Sequence, residues 1–131
     1  MVLVVLLVLA LFVVQTLLPG RFREPAPSKE TLVESLGNRD HMRPLTVIGG
    51  RADRALSNMH EALPVFLALA LMNMIVGTAA GLAVTGATVF LVARAAYVVV
   101  YLVGIPVVRT LIWVAGWVGL AMMIAPLLDK I

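Results

Sequence analysis

Four apolar stretches of bilayer-crossing length fill most of this chain and leave room for little else. They cover about residues 1–18, 52–77, 82–103 and 107–128 of 131. A transmembrane helix needs roughly 20 apolar residues, so the pattern predicts one all-α integral membrane domain, a four-helix bundle. The composition agrees: 62% of residues are hydrophobic and 13% charged, against about 45–50% and about 25% in a soluble domain. Cysteine is absent, which excludes disulfides, thiolate metal sites and a cysteine nucleophile. Any thiol chemistry has to come from a bound small molecule. His41 and His60 lack metal-ligand spacing, so no metal site is expected. No dinucleotide or phosphate-binding glycine loop and no Ser-His-Asp set is present, and nothing points to a nucleic-acid partner.

Turn residues mark the ends of the spans. Pro19-Gly20 is expected to stop the first, and Gly104 and Pro106 separate the third from the fourth. The second turn is expected somewhere in the small-residue stretch 77–88, with Gly77 and Gly81 as a weak GxxxG helix-contact signal. No positive residue precedes the first span and no small-residue cleavage site follows it, so it is expected to stay attached rather than act as a signal peptide. Residues 19–50 form one long polar connection, with a possible short helix at 28–36 and the Gly49-Gly50 pair just before the second span. Seven of the ten Lys and Arg residues lie in this connection or just after it. Arg94 and Arg109 flank the third connection on the same side, and only Lys130 lies opposite. The positive-inside rule then places the long connection in the cytoplasm and both termini outside it.

The most informative polar residues lead into the second span. Arg51, Arg54, Asn58 and Glu61 follow steps of three and four, which puts them on one helical face. Arg94, Tyr97 and Tyr101 share a face of the third span in the same way. With boundaries near residues 52 and 103, Glu61 and Arg94 lie at equal depth, about 13 Å at 1.5 Å per residue, and are candidate partners. Arg109 opens the fourth span. Structural roles account for each of these singly: a buried Glu61–Arg94 salt bridge, an interhelical hydrogen bond from Asn58 worth about 0.6 kcal/mol, and headgroup anchoring by Arg21, Arg23 and Arg109. Together, several cations with one carboxylate, one amide and two phenols at one level point to a bound anion held by arginine forks. Trp113 and Trp117, four apart, fit packing or the membrane interface.

These residues resemble a known family. The pattern Arg51-x-x-Arg54-x-x-x-Asn58-x-x-Glu61, then Arg94-x-x-Tyr97-x-x-x-Tyr101 and Arg109, is similar to that of the MAPEG family (membrane-associated proteins in eicosanoid and glutathione metabolism). Gly37-Asn38-Arg39-Asp40 and Gly104-Ile105-Pro106-x-x-Arg109-Thr110 look like its bacterial branch. The resemblance implies a homotrimer of four-helix bundles, in a bacterial inner membrane, with glutathione as co-substrate bound between subunits. Arg54, Asn58, Glu61, Arg94, Tyr97 and Tyr101 would line that site, with Arg51 at its edge and Arg21 or Arg23 supplied by a neighbour. Arg109 would stabilise the thiolate. A thiol of pKa about 8.5 lowered by two units gains about 2.7 kcal/mol for its anion. The implied partners are membrane lipid and a hydrophobic electrophile or lipid hydroperoxide arriving from the bilayer.

Two other function classes fit the same chain. A non-catalytic lipid-binding or scaffold protein needs the fold but not the thiolate. A small four-span exporter would place its essential carboxylate mid-membrane, whereas Glu61 lies nearer the basic side among cations.

Overall fold

The computed structural model describes residues 1–24 and 43–130. Four helices make up the fold: α1 (Val2–Arg21), α2 (Val47–Val76), α3 (Gly81–Val103) and α4 (Pro106–Leu128). All four are long and apolar enough to cross a membrane. Among the described residues the one β-type pairing is an isolated antiparallel bridge between Arg23 and Leu45. The candidate helix at 28–36, the segment 37–40, Lys29 and His41 lie outside the described residues.

Two boundaries differ from the sequence expectation. Pro19-Gly20 does not stop α1, which runs on to Arg21. Proline keeps a helical φ but offers no N–H to the carbonyl four residues back, so α1 continues only to Arg21, where Phe22 N closes it by donating to Pro19 O at 3.2 Å. At the other side of the connection α2 begins at Val47, so Gly49-Gly50 lies inside the helix rather than before it. Thr46 explains the early start. Its hydroxyl accepts from Gly49 N at 3.1 Å, satisfying one orphan donor, and it donates to Phe22 O at 2.8 Å. The end of α1 and the start of α2 are thereby tied together.

The second turn is short. Gly77 caps α2 at φ 77 and Gly81 opens α3 at φ 48. Both glycines serve the turn; among the described residues nothing lies within 4 Å of a Cβ added at either, so within this chain they do not make the helix contact that their GxxxG spacing signals. That contact is made elsewhere, between Gly86 of α3 and Gly119 of α4. A Cβ on Gly86 would sit 2.5 Å from Gly119 O, and one on Gly119 2.7 Å from Gly86 O. In lipid, helices associate through close van der Waals packing rather than hydrophobic drive, and glycine allows backbones to touch.

The core forms where α1, α2 and the α3–α4 pair meet. Val8, Met59, Ala62, Phe66, Ala70, Ala87, Phe90, Leu120 and Met123 are buried together. Phe66 and Phe90 stack at 4.7 Å and 8°. Away from the arginines, buried Asn73 donates to Leu69 O of its own helix and to Met123 O of α4, both at 2.9 Å, and accepts from the Thr78 hydroxyl at 2.8 Å. A polar side chain inside the bundle is tolerated here because its groups are paired. Leu, Val and Met side chains elsewhere point outward from every helix, as a lipid-facing surface requires.

Replacing Gly86 by Val is expected to lower stability by about 1–3 kcal/mol, because the clash is with backbone that cannot rotate away. Gly20→Ala, with open space around it, serves as the neutral control in the same detergent-unfolding measurement.

Candidate functional site

Helix ends bring four of the marked residues to one place. Arg51 and Arg54 lie in the first turns of α2, Tyr101 in the last turn of α3 and Arg109 in the first turn of α4. With Gly104, Ile105 and Pro106 they line a cleft of about 170 Å³, with no acidic side chain among its described lining residues. Tyr101 is its centre. The phenol oxygen accepts a hydrogen bond from Arg54 Nε at 3.3 Å, and the Arg109 guanidinium lies over the ring at 4.9 Å. The ring therefore spaces two cations that would otherwise repel at close range.

Arg51 holds the cleft wall. Its Nη1 donates to Leu102 O at 3.0 Å and Val103 O at 3.2 Å. These are carbonyls of the last turn of α3, which lack helical donors, and a guanidinium there also meets the negative end of the helix dipole. Gly104 makes the arrangement possible twice over. It takes φ 89 to end the helix, and a Cβ there would come within 2.6 Å of the Arg51 guanidinium. Pro106 then starts α4 at a position where its missing N–H costs nothing.

Arg94 and Tyr97 sit deeper along the same face of α3. Arg94 is 2% exposed, and its Nε, Nη1 and Nη2 all lack hydrogen-bond partners among the described residues. It lies over the Phe90 ring at 5.1 Å and the Tyr97 ring at 5.8 Å, with Gly116 of α4 alongside. Tyr97 in turn packs edgewise on Tyr101 at 5.3 Å. Phe90, Arg94, Tyr97, Tyr101 and Arg109 thus form one stacked column that runs from the core to the cleft. Cation–π contacts contribute about 2 kcal/mol each when desolvated, whereas removing a guanidinium from water costs several kcal/mol. The column alone does not compensate Arg94 within one chain.

The remaining marked residues stand apart. Glu61 is exposed and forms no ion pair with Arg94 among the described residues, so the buried salt bridge is not made within this chain. Arg94 is enclosed between α3 and α4, while Glu61, exposed on α2, still lies near enough to act on its charge electrostatically. Asn58 is half-buried and makes no side-chain hydrogen bond within the described chain, so the interhelical bond that its position permits is absent too. Arg21 is exposed at the end of α1. Arg23 donates to Arg43 O and so closes the base of the long connection. His60 is edge-on to Phe12 at 5.1 Å.

Sequence reasoning missed Gly104–Pro106 as cleft wall and Phe90 and Gly116 as the housing of Arg94. Phe90 had a legible signal, one helical step before Arg94. Gly116 had none, because its role depends on how α4 lies against α3.

Gly104→Ala is expected to lower stability by about 1–2 kcal/mol through its left-handed backbone and to shift Arg51 off the α3 carbonyls. Faster amide exchange around residues 104–106, beside the same loss in thermal unfolding, would register both effects.

No curated protein and no solved structure matches the chain. The MAPEG family model, by contrast, matches residues 1–128. Four apolar helices, a membrane-spanning bundle and an arginine-lined end therefore come with a match across nearly the whole sequence, and the chain belongs to the MAPEG family, whose members include glutathione transferases and peroxidases.

Proposed function

We propose that this protein is a glutathione-dependent membrane transferase or peroxidase acting on hydrophobic electrophiles or lipid hydroperoxides, and that it works as a homotrimer. The observation that carries the reading is the cleft: three guanidiniums around one phenol, with no carboxylate among the described residues that line it, in a chain of this family. Glutathione brings two carboxylates, an ammonium and a thiol. Arg51 and Arg54 suit the carboxylates as bidentate forks, and Arg109 suits a thiolate.

At about 170 Å³ the cleft is smaller than the roughly 300 Å³ at which small-molecule pockets begin. The rest of a tripeptide has to lie on neighbouring surface. Exposed Glu61 and half-buried Asn58 offer a carboxylate and an amide on the next turns of α2. An exposed carboxylate within a membrane span is expensive unless something polar covers it, which supports a second copy of the chain at this face. In that assembly Arg21 or Arg23 comes from the neighbour, and unpaired Arg94 with Tyr97 gains an anionic partner. The basic end faces the cytoplasm of a bacterial inner membrane, with both termini outside, in line with the positive-inside rule.

In the transferase reaction the thiolate sulfur bonds to the electrophilic carbon while a leaving group such as halide departs with the electron pair as an anion, or an opened ring oxygen takes the electron pair and then a proton from water. In the peroxidase reaction a hydroperoxide is reduced to an alcohol and water while two glutathione thiols are oxidised to one disulfide. A guanidinium that lowers the thiol pKa raises the thiolate fraction at neutral pH in both.

Glutathione at a hundredfold excess over its dissociation constant is expected to raise unfolding stability by about 2.7 kcal/mol. Arg54→Ala should weaken this stabilisation. Arg109→Ala should remove thiolate absorbance near neutral pH and turnover of an aryl halide or hydroperoxide while keeping most of the stabilisation. No stabilisation at any concentration sinks the reading. Stabilisation without turnover assigns the protein to the scaffold class instead.

A further inference from the structure

A second kind of anion fits the same cleft. The cleft lies where α2 and α4 begin and α3 ends, the level of lipid headgroups for helices of this length. Its three guanidiniums present more forked donors than one carboxylate can accept, whereas a phosphate offers several acceptor oxygens at once. Its volume of about 170 Å³ is that of a headgroup anion rather than of a whole drug-sized ligand.

Beside it runs an unusual apolar surface. Arg109, Trp113 and Trp117 follow at four-residue steps, so the two indoles continue the Arg109 side of α4 toward the bilayer. They meet edgewise at 5.8 Å, and each is 39% exposed. Exposed tryptophans of membrane proteins concentrate at the headgroup interface. Trp117 instead lies about 17 Å along α4 from Pro106, at 1.5 Å per residue, near the centre of a hydrocarbon core of roughly 30 Å. It does not serve as an interface anchor. Cations at the headgroup level and a tail-length aromatic face below them match one ligand shape, an anionic head on a long apolar tail.

We propose that the cleft of Arg51, Arg54 and Arg109 binds the phosphate of an anionic phospholipid, with an acyl chain on the Trp113–Trp117 face of α4, and that this lipid competes with glutathione. The lipid site stands by itself; the competition rests on the glutathione reading. An anionic membrane would then set how much of the protein is open to the thiol.

The test uses the full chain in nanodiscs of phosphatidylcholine alone or mixed with phosphatidylglycerol, followed by native mass spectrometry of retained lipid. Phosphatidylglycerol should be retained severalfold over phosphatidylcholine. Arg54→Gln with Arg109→Gln should abolish that preference. Trp113→Leu with Trp117→Leu, a substitution on a lipid-facing surface, should reduce retention without affecting folding. Equal retention of the two lipids, or retention unchanged in the arginine variant, overturns the site. Displacement by glycerol 3-phosphate as effective as by phosphatidylglycerol overturns the lipid as source and leaves a soluble phosphate. Glutathione stabilisation should fall severalfold on adding phosphatidylglycerol; equal stabilisation in both membranes overturns the competition. If glutathione fails to stabilise in any membrane while the lipid preference holds, the activity reading falls and the lipid site survives.

Discussion

Backbone contact between α3 and α4 at Gly86 and Gly119 is the constraint from which the basic end of the molecule follows. Two helices that touch through glycine carbonyls have little freedom to slide, since any larger residue would force them apart. With that contact made, the turn at Gly104–Pro106 has to reverse the chain over a short span. Tyr101 and Arg109 then face each other across the turn, and Gly116 comes to lie against Arg94. The same pair of helices supplies the floor on which α2 lays Arg51 and Arg54. Hydrocarbon gives no hydrophobic drive to hold helices together, so close packing carries the load that a greasy core carries in a soluble protein.

The cations divide into two kinds by how they are held. Arg51 is engaged at the end of α3 through ordinary carbonyl acceptors, and it stabilises the turn as well as the cleft. Arg54 and Arg109 are held by one phenol between them, an arrangement that leaves most of their donors free for a guest. Arg94 is different again: enclosed, stacked on two rings and without a side-chain hydrogen bond among the described residues. Its aromatic column reaches Tyr101, so any partner that engages Arg94 acts on the same stack that orders the cleft. Asn73 at the far end shows the contrast. There a buried polar group is paired inside the chain and joins α2 to α4.

Periodicity and turn chemistry carried the reading of the fold a long way. Apolar run lengths marked four helices, and Gly104 with Pro106 marked a break that the backbone makes as expected. Helix-face spacing grouped Arg51 with Arg54 and Tyr97 with Tyr101. Spacing failed where neighbours decide. Pro19 and Gly49 were read as punctuation by their residue type, but α1 runs past Pro19 to Arg21 before it ends, and a capping threonine starts α2 ahead of Gly49. The Gly77/Gly81 pair had the right spacing for a helix contact and the wrong place in the fold.

The amino-acid sequence by itself determined that the chain crosses the membrane four times, where its positive charge accumulates and which polar residues share each helical face. These depend on local properties: hydropathy, charge and a period of 3.6. Only the tertiary structure decided which faces meet. Glu61 and Arg94 form no ion pair among the described residues, while Arg109 joins Arg54 on Tyr101, because the rotation of each helix about its axis is set by packing against its neighbours and leaves no mark within its own sequence.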